Sequence, residues 1–291
     1  MIFSFSVYVT YWDNDPYEQI QDMIHRGVIT QYTRVILAFA SFNFISSQYI
    51  PGFGSVTMDE VKQITALVHS AGAYISLSIG GATYPFHNSD LYNQPGDLAT
   101  NINGVLSSTG FDGVDFDVED LSTSVPADFA TQTASLINTL RSLNPSLYIT
   151  LTTAAQAWQT ANQSSPNGMY QQQLLNMTIG NINAWQPMEY DLWIDPSKTY
   201  VQQIQYDLNY YMNTWGVQPN KIILGLMCGQ DDTDHVLMLQ DALNITEFAT
   251  DQLLKGIMIW DANIDSKGCA GNAPYAYSMG IQTQINSVYR D

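Results

Sequence analysis

Apolar and polar positions follow two alternating patterns along this chain. Short runs rich in β-branched residues predict buried strands near residues 3–12, 34–42, 74–79, 113–119, 148–154, 184–190, 221–228 and 256–261. Amphipathic segments predict helices at 17–26, 57–71, 97–108, 126–143, 168–178, 199–215, 235–254 and 275–289. Because strands and helices alternate, we predict an α/β fold built on a parallel sheet.

The number of these units favours a closed barrel over an open doubly wound sheet. A chain of 291 residues has room for one (β/α)8 barrel, a TIM barrel, which needs about 250 residues. The composition does not change along the chain and no linker interrupts it, so we predict one domain over residues 1–291. Thr57 and Glu60 have the spacing of a capping box at the start of the second helix.

An acidic run ends the fourth predicted strand. Asp115, Asp117 and Glu119 alternate with apolar residues, so their side chains share one face of the strand. Carboxylates crowded on a buried face repel each other and lose hydration, but they retain protons near neutral pH, which suits acid catalysis. Active sites of such barrels lie at the C-terminal strand ends, so we expect Glu119 at the barrel mouth. The alternative is a solvated strand face at a sheet edge.

Other strand ends carry polar and aromatic side chains that fit the same mouth. Ser78, ahead of a glycine pair, can donate a hydrogen bond to the acids. Tyr8 shares a face of the first strand with Trp12 and can bond the acids from below. Each feature taken alone also fits ordinary packing or a turn. The sixth and eighth strands end in Gln186-Pro187-Met188-Glu189-Tyr190-Asp191 and in Trp260.

The acidic run, Asp112-Gly113-x-Asp115-x-Asp117-x-Glu119, resembles the signature of family 18 glycoside hydrolases, the chitinase family. Residues 76–81 resemble the family's S-x-G-G motif, and residues 186–191 resemble its Q-x-M-x-Y-D motif. The resemblance extends from about residue 5 to residue 263 and implies a TIM barrel. Many family members carry an extra α+β domain between the seventh and eighth strands. Here that interval has room for little more than one helix, which implies an open groove and endo-type cutting.

The resemblance also implies a mechanism, that of a retaining chitinase acting on β-1,4 bonds between N-acetylglucosamine units. The substrate's acetamido oxygen attacks to give an oxazolinium ion. Glu119 would be the acid and base, Asp117 would hold the acetamido group and exchange a proton with Asp115, and Tyr190 would orient the acetamido oxygen. No metal or organic cofactor is implied. Substrate-binding roles are implied for Trp260, Asp191, Met188, Gln186, Tyr8 and Ser78.

Two other functions fit the same resemblance. One is an endo-β-N-acetylglucosaminidase that cuts the chitobiose core of N-glycans, and the other is a catalytically weak chitin-binding lectin on the same barrel. Loss of catalysis in this family usually removes the glutamate or the central aspartate. Both are present here, as Glu119 and Asp117, so we favour the enzyme.

The net charge of the chain limits the kinds of molecule that it can bind. With 9 basic and 27 acidic residues, the net charge is −18, which excludes a nucleic-acid partner because phosphate contacts need Lys/Arg patches. An acidic protein suits a neutral partner such as chitin or N-acetylglucosamine oligosaccharides. No run is apolar enough to span a membrane, and the first residues resemble a strand rather than a signal peptide. We expect a secreted monomer whose signal peptide is not part of this sequence, with an intracellular location as the alternative.

Two smaller features stay open. Cys228 and Cys269 each follow a late strand, and a disulfide and two free thiols are about equally compatible with that placement. Residues 231–234 are rich in aspartate but lack the rest of a calcium loop, so we predict that they cap a helix.

Overall fold

The strands and helices alternate along the chain as predicted. The structure is a computed structural model and describes residues 3–11, 15–41, 56–86, 94–119, 126–155 and 166–289. The strands are β1 (Ser4–Thr10), β2 (Arg34–Ala40), β3 (Tyr74–Gly80), β4 (Gly113–Val118), β5 (Tyr148–Ala154), β6 (Ala184–Met188), β7 (Ile223–Met227), β8 (Gly229–Gln230), β9 (Val236–Leu237) and β10 (Gly256–Trp260). The helices are α1 (Pro16–His25), α2 (Met58–Ser70), α3 (Pro95–Thr109), α4 (Phe129–Leu143), α5 (Pro166–Thr178), α6 (Tyr200–Asn213), α7 (Leu239–Asp251), α8 (Ala262–Asp265) and α9 (Ala276–Val288).

Eight parallel strands close into a barrel in the order β1-β10-β7-β6-β5-β4-β3-β2. This arrangement confirms the predicted (β/α)8 barrel. Every residue between β7 and β10 is described, and that interval forms only the β8–β9 hairpin and α7. The extra α+β domain is therefore absent from this interval, as the sequence predicted. The capping box is also present, since Thr57 N donates to Glu60 Oε2 at 2.6 Å and Glu60 N to Thr57 Oγ1 at 3.2 Å.

The barrel has two chemically different layers. Outward-facing aliphatic residues of the strands pack against the helices in one continuous apolar core, with Val35, Leu77 and Leu151 as examples. The inward-facing layer is partly polar. Register pairs Ser78 with Asp115 and Asp115 with Thr150, so these side chains meet inside the barrel at one height. Parallel strands deliver their C-terminal ends to one rim, which we call the mouth, and their N-terminal ends to the opposite rim, the base.

An outward-facing acid, Glu189, is fully buried behind the sixth strand. Burial raises its pKa well above the usual value, and the nearby charge of Asp207 raises the pKa further. Glu189 is therefore neutral in the folded protein at pH values where it is ionised in the unfolded chain. Because the unfolded state then binds fewer protons, folding stability falls as pH rises above the unfolded pKa, until the folded pKa is reached.

We expect Glu189→Gln to stabilise the protein at neutral pH and to flatten this pH dependence. Each pH unit between the two pKa values is worth about 1.4 kcal/mol for a single group. The check is denaturant unfolding of both proteins at about pH 5 and about pH 8. Glu247→Gln, which changes an exposed glutamate, is the matched control. Equal pH slopes for wild type and Glu189→Gln would contradict the assignment.

Candidate active site

The first acid of the run, Asp115, lies at the centre of the barrel and is fully buried. Its Oδ2 accepts hydrogen bonds from Tyr8 Oη and from Ser78 Oγ, both at 2.7 Å. Its Oδ1 accepts from Thr150 Oγ1 at 2.6 Å, Thr152 Oγ1 at 2.8 Å and Gln186 Nε2 at 3.2 Å. Five donors saturate the acceptor capacity of a carboxylate, so this network satisfies the hydrogen bonding of the buried Asp115 side chain.

The second acid, Asp117, lies one step nearer the mouth and is also buried. Its Oδ1 is enclosed without a hydrogen-bond partner among the described residues. Burial raises the pKa of this carboxyl well above its usual value, and the charges of Glu119 and then Asp115 raise it further. Burial and these neighbouring charges therefore favour the protonated form of Asp117.

The third acid, Glu119, follows β4 and reaches the mouth. Its Oε1 accepts a hydrogen bond from the backbone N–H of Ala82 at 3.1 Å. The preceding Gly80 and Gly81 make this turn possible, with φ of 111° and 72°. A Cβ on Gly80 would lie 2.3 Å from the carbonyl oxygen of Asp117, so the turn requires glycine there. The glycine pair thus brings a backbone donor to the catalytic candidate.

Tyr190 and Asp191 follow β6, which is separated from β4 by β5 alone, and line the same cleft as Asp117 and Glu119. Tyr190 is buried, and burial raises the pKa of its phenol well above 10, with the charge of Asp117 adding to the rise. The hydroxyl therefore stays protonated and can donate a hydrogen bond. Asp191 has a φ of 54°, and its Oδ1 accepts from Asp232 N at 2.7 Å.

The β8–β9 hairpin holds Asp191 in place. The buried Asp231 accepts from Asp191 N at 2.9 Å through Oδ2, and from Thr233 N at 3.0 Å and His235 N at 2.9 Å through Oδ1. The prediction that residues 231–234 cap a helix is wrong, because Val236 and Leu237 pair with Gln230 and Gly229 and the next helix begins only at Leu239. Asp231 ties the loop after the sixth strand to the hairpin after the seventh.

Aromatic rings form the floor of the mouth. The Trp260 indole stacks on Phe39, with ring centroids 5.6 Å apart and an interplanar angle of 21°. It also contacts Tyr8, whose ring centroid lies 5.2 Å away. Trp260 remains partly exposed, so its face is available to an apolar surface such as a sugar ring.

These side chains surround an open cleft of about 410 Å³. Among the described residues, its lining holds five acids and no basic residue. A cleft of this charge disfavours anionic ligands and accepts a neutral one. The lining residues are Thr10, Phe39, Ala82, Thr83, Asp117, Glu119, Met188, Tyr190, Asp191, Met227, Asp232, Trp260, Asp261 and Ile264.

One protein-family model matches most of this chain. The model of glycosyl hydrolases family 18 matches residues 5–236. The chain belongs to glycosyl hydrolase family 18. A comparison with curated protein sequences finds no match. The family assignment therefore rests on the family model, and the fold is supported by solved structures.

Solved chitinase structures share the family 18 barrel at low sequence identity. A family 18 chitinase from Pseudoalteromonas aurantia matches at 20% identity and a TM-score of 0.73, covering 97% of this chain and 99% of that one. A chitinase domain from Pyrococcus furiosus, in complex with chito-oligosaccharides, matches at 16% and 0.73, covering 99% and 97%. A group IV chitinase from Ostrinia furnacalis, in complex with allosamidin, matches at 14% and 0.75, covering 98% and 99%. At these identities the likeness supports the fold.

The structure divides the predicted site residues into two groups. Asp117, Glu119, Met188, Tyr190, Asp191 and Trp260 line the cleft. Three others lie below it and contact Asp115, namely Tyr8, Ser78 and Gln186. Trp12 lies outside the described residues. The sequence analysis missed the roles of Thr150, Thr152, Asp231 and the backbone N–H of Ala82 at this site. The alternating threonines of β5 become informative only once the register of β5 against β4 is known.

Metal binding has one candidate group among the described residues, formed by Cys228, Asp265 and Cys269 with ligand atoms within 4.8 Å of one another. Both cysteines are free thiols in the structure. Asp265 already accepts from Ser278 N at 2.9 Å and from Tyr277 N at 3.2 Å. Burial raises the pKa of the Cys228 thiol, which opposes the thiolate that a metal requires. The group therefore fits a structural role better.

No described helix has the length and apolar character of a membrane span.

Proposed function

We propose that this family 18 protein is a retaining chitinase that hydrolyses β-1,4 bonds between N-acetylglucosamine units. The observation that carries the proposal is the buried Asp117 carboxyl at the cleft, whose Oδ1 has no hydrogen-bond partner among the described residues and whose pKa is raised by burial and by the charges of Glu119 and Asp115. A buried carboxyl oxygen without a partner can accept a hydrogen bond from a ligand, and the N–H of a 2-acetamido group can donate it.

Binding would place the acetamido group between Asp117 and Tyr190. Asp117 accepts the acetamido N–H best as a carboxylate, so its proton must move to a neighbour. Asp115, the proton partner that the family resemblance implies, already accepts five hydrogen bonds, so we propose Glu119 as the proton acceptor instead. This transfer leaves Asp117 as a carboxylate and gives Glu119 the proton that it needs as the general acid.

The chemical steps then follow from these two protonation states. Glu119 gives its proton to the glycosidic oxygen, and the bond between that oxygen and the anomeric carbon breaks. The acetamido oxygen, oriented by the Tyr190 hydroxyl, forms a bond to the same carbon. The Asp117 carboxylate offsets the positive charge of the oxazolinium ion. A water molecule then gives a proton to Glu119 and attacks the anomeric carbon, which restores the acetamido group with retained configuration.

The remaining cleft features support a neutral sugar chain as substrate. The part of the lining that the structure describes offers acids and apolar faces but no basic group for a phosphate or carboxylate of the ligand. Trp260 can carry the apolar face of a sugar at the floor. The interval between β7 and β10 builds no further domain beside the cleft, so we propose that long chains enter sideways and are cut internally.

We expect hydrolysis of a chitin hexamer, with internal bonds cut early, and no hydrolysis of a cellulose hexamer. Glucose units lack the acetamido oxygen, so the internal nucleophile is missing. The measurement is a product time course for both oligomers, with a high-mannose glycoprotein in parallel. Ready cleavage of the cellulose hexamer would indicate an ordinary two-carboxylate glycosidase.

Other outcomes of the same assay would indicate a different function or a different mode of cutting. Cleavage of the glycoprotein without cleavage of the chitin hexamer would indicate an endo-β-N-acetylglucosaminidase. Binding of the chitin hexamer without any cleavage would indicate a lectin. Disaccharide as the sole early product would contradict internal cutting but leave the chitinase assignment intact.

A further inference from the structure

A second pocket, of about 510 Å³, lies at the base of the barrel, at the opposite end from the cleft. We call it the base pocket. Its lining comes from residues at or beside the N-terminal ends of the strands, among them Arg34, Tyr74, Tyr148 and Lys255. The size is within the range of small-ligand sites. None of these residues takes part in the proposed catalysis.

Arg34 is the central group of the base pocket and is only 7% exposed. Its Nη1 donates to Ser76 Oγ at 2.9 Å, and its guanidinium lies 4.0 Å from the ring centroid of Tyr148 and 5.3 Å from that of Tyr74. Among the described residues, its other N–H groups have no hydrogen-bond partner and no carboxylate forms an ion pair with it. The aromatic rings thus hold a buried cation whose unused donors line the pocket.

Lys255 supplies a second positive charge to the same pocket. It is partly buried, and burial lowers the pKa of its ammonium. No ion pair with a described carboxylate involves it. The neighbouring Lys221 lies close enough for the Lys255 charge to lower its pKa as well, after the larger effect of burial. Positively charged side chains therefore lie close together at this end of the barrel, although the chain has three acidic residues for every basic one.

The lining of the base pocket holds one acid among the residues that the structure describes, and that acid is already engaged. Asp112 Oδ2 accepts from His69 Nε2 and from Ile75 N, both at 2.8 Å. It reduces the positive potential of the pocket but pairs with neither cation. Two cations that share a pocket without a partner carboxylate are costly to bury, unless an anion enters between them.

We propose that the base pocket binds a small oxyanion, either phosphate or the carboxylate of an organic acid, between Arg34 and Lys255. The planar guanidinium presents a fork of N–H donors that matches two oxygens of such a group, and the lysine ammonium adds a point charge. The Thr33 and Ser146 hydroxyls of the same lining already donate, to Phe5 O at 2.9 Å and to Asn144 Oδ1 at 3.1 Å, so the two cations carry the anion binding. This site is independent of the chitinase proposal.

Calorimetric titration of inorganic phosphate into the full chain tests the proposal, at constant ionic strength set with sodium chloride. A separate titration with acetate distinguishes a carboxylate ligand from a phosphate. Wild type should bind at least one of the two anions saturably, with one site per chain. Lys255→Met should weaken that binding by about tenfold or more, because it removes one of two charges on the anion.

Lys62→Met is the matched control, since it makes the same change at an exposed lysine that pairs with Asp59 at 2.9 Å. It should bind the anion as wild type does. Arg34→Lys keeps the charge and removes the fork, so it should bind more weakly than wild type. Absence of saturable binding by either anion in wild type would overturn the proposal, as would equal weakening in Lys255→Met and Lys62→Met.

Discussion

Glu119→Gln is expected to lower the turnover of chitin oligomers by about 10²–10⁴-fold or more, because it removes the proton that the leaving oxygen needs. Gln keeps the shape of the side chain and can still receive the Ala82 N–H that Glu119 Oε1 accepts at 3.1 Å. The fold should therefore be unchanged. Steady-state kinetics with the chitin hexamer measures the loss, and thermal unfolding checks that the variant remains folded.

Two comparisons make this prediction specific. Glu247→Gln makes the same substitution at an exposed helical position and should keep wild-type turnover. A substrate with a good leaving group needs little protonation, so it should restore part of the lost rate in Glu119→Gln. Chitin-hexamer turnover within about threefold of wild type would remove Glu119 from the role of general acid.

The alternation of residues along β4 was enough to predict where its acids lie. A strand places every second side chain on one face, so Asp115 and Asp117 had to share the barrel interior. The parity of the sixth strand was equally informative, since Gln186 points to Asp115 while Met188 and Tyr190 line the cleft. Local period and barrel topology together determine these positions.

The partners of Asp115 were harder to predict because hydroxyl groups carry little pattern of their own. Thr150 and Thr152 look like ordinary β-formers, and only the register of β5 against β4 brings them to the carboxylate. The Ala82 N–H that reaches Glu119 is a backbone group, which no side-chain pattern reveals. Such contacts depend on the pairing of elements rather than on residue type.

The aspartates at 231–234 mark a different limit of sequence patterns. Aspartates ahead of an amphipathic segment favour a helix cap, because side-chain oxygens satisfy the first N–H groups of a helix. The same oxygens satisfy N–H groups of a tight hairpin equally well, and Asp231 does so with Thr233 and His235. The sequence correctly indicated that aspartate oxygens accept from nearby backbone N–H groups. It could not indicate whether those N–H groups belong to a helix or to a hairpin.

Asp117→Asn is expected to reduce turnover by a similar factor, about 10²-fold or more, through the acetamido group rather than the leaving oxygen. Asparagine cannot become a carboxylate, so it cannot offset the charge of the oxazolinium ion or release a proton to Glu119. A good leaving group does not supply either function. The loss in Asp117→Asn should therefore persist with activated substrates, whereas the loss in Glu119→Gln is partly restored.

The stability of Asp117→Asn separates this role from a structural one. Burial, with the charges of Glu119 and Asp115, raises the pKa of Asp117, so this acid contributes less to folding stability as pH rises above its unfolded pKa. The uncharged asparagine avoids that loss, and the variant should be as stable as wild type or more stable at neutral pH. Asp251→Asn, at an exposed helix end, should change neither property. The same leaving-group dependence in Asp117→Asn and Glu119→Gln would contradict the division of roles, and a destabilised Asp117→Asn would indicate that the carboxyl supports the fold instead.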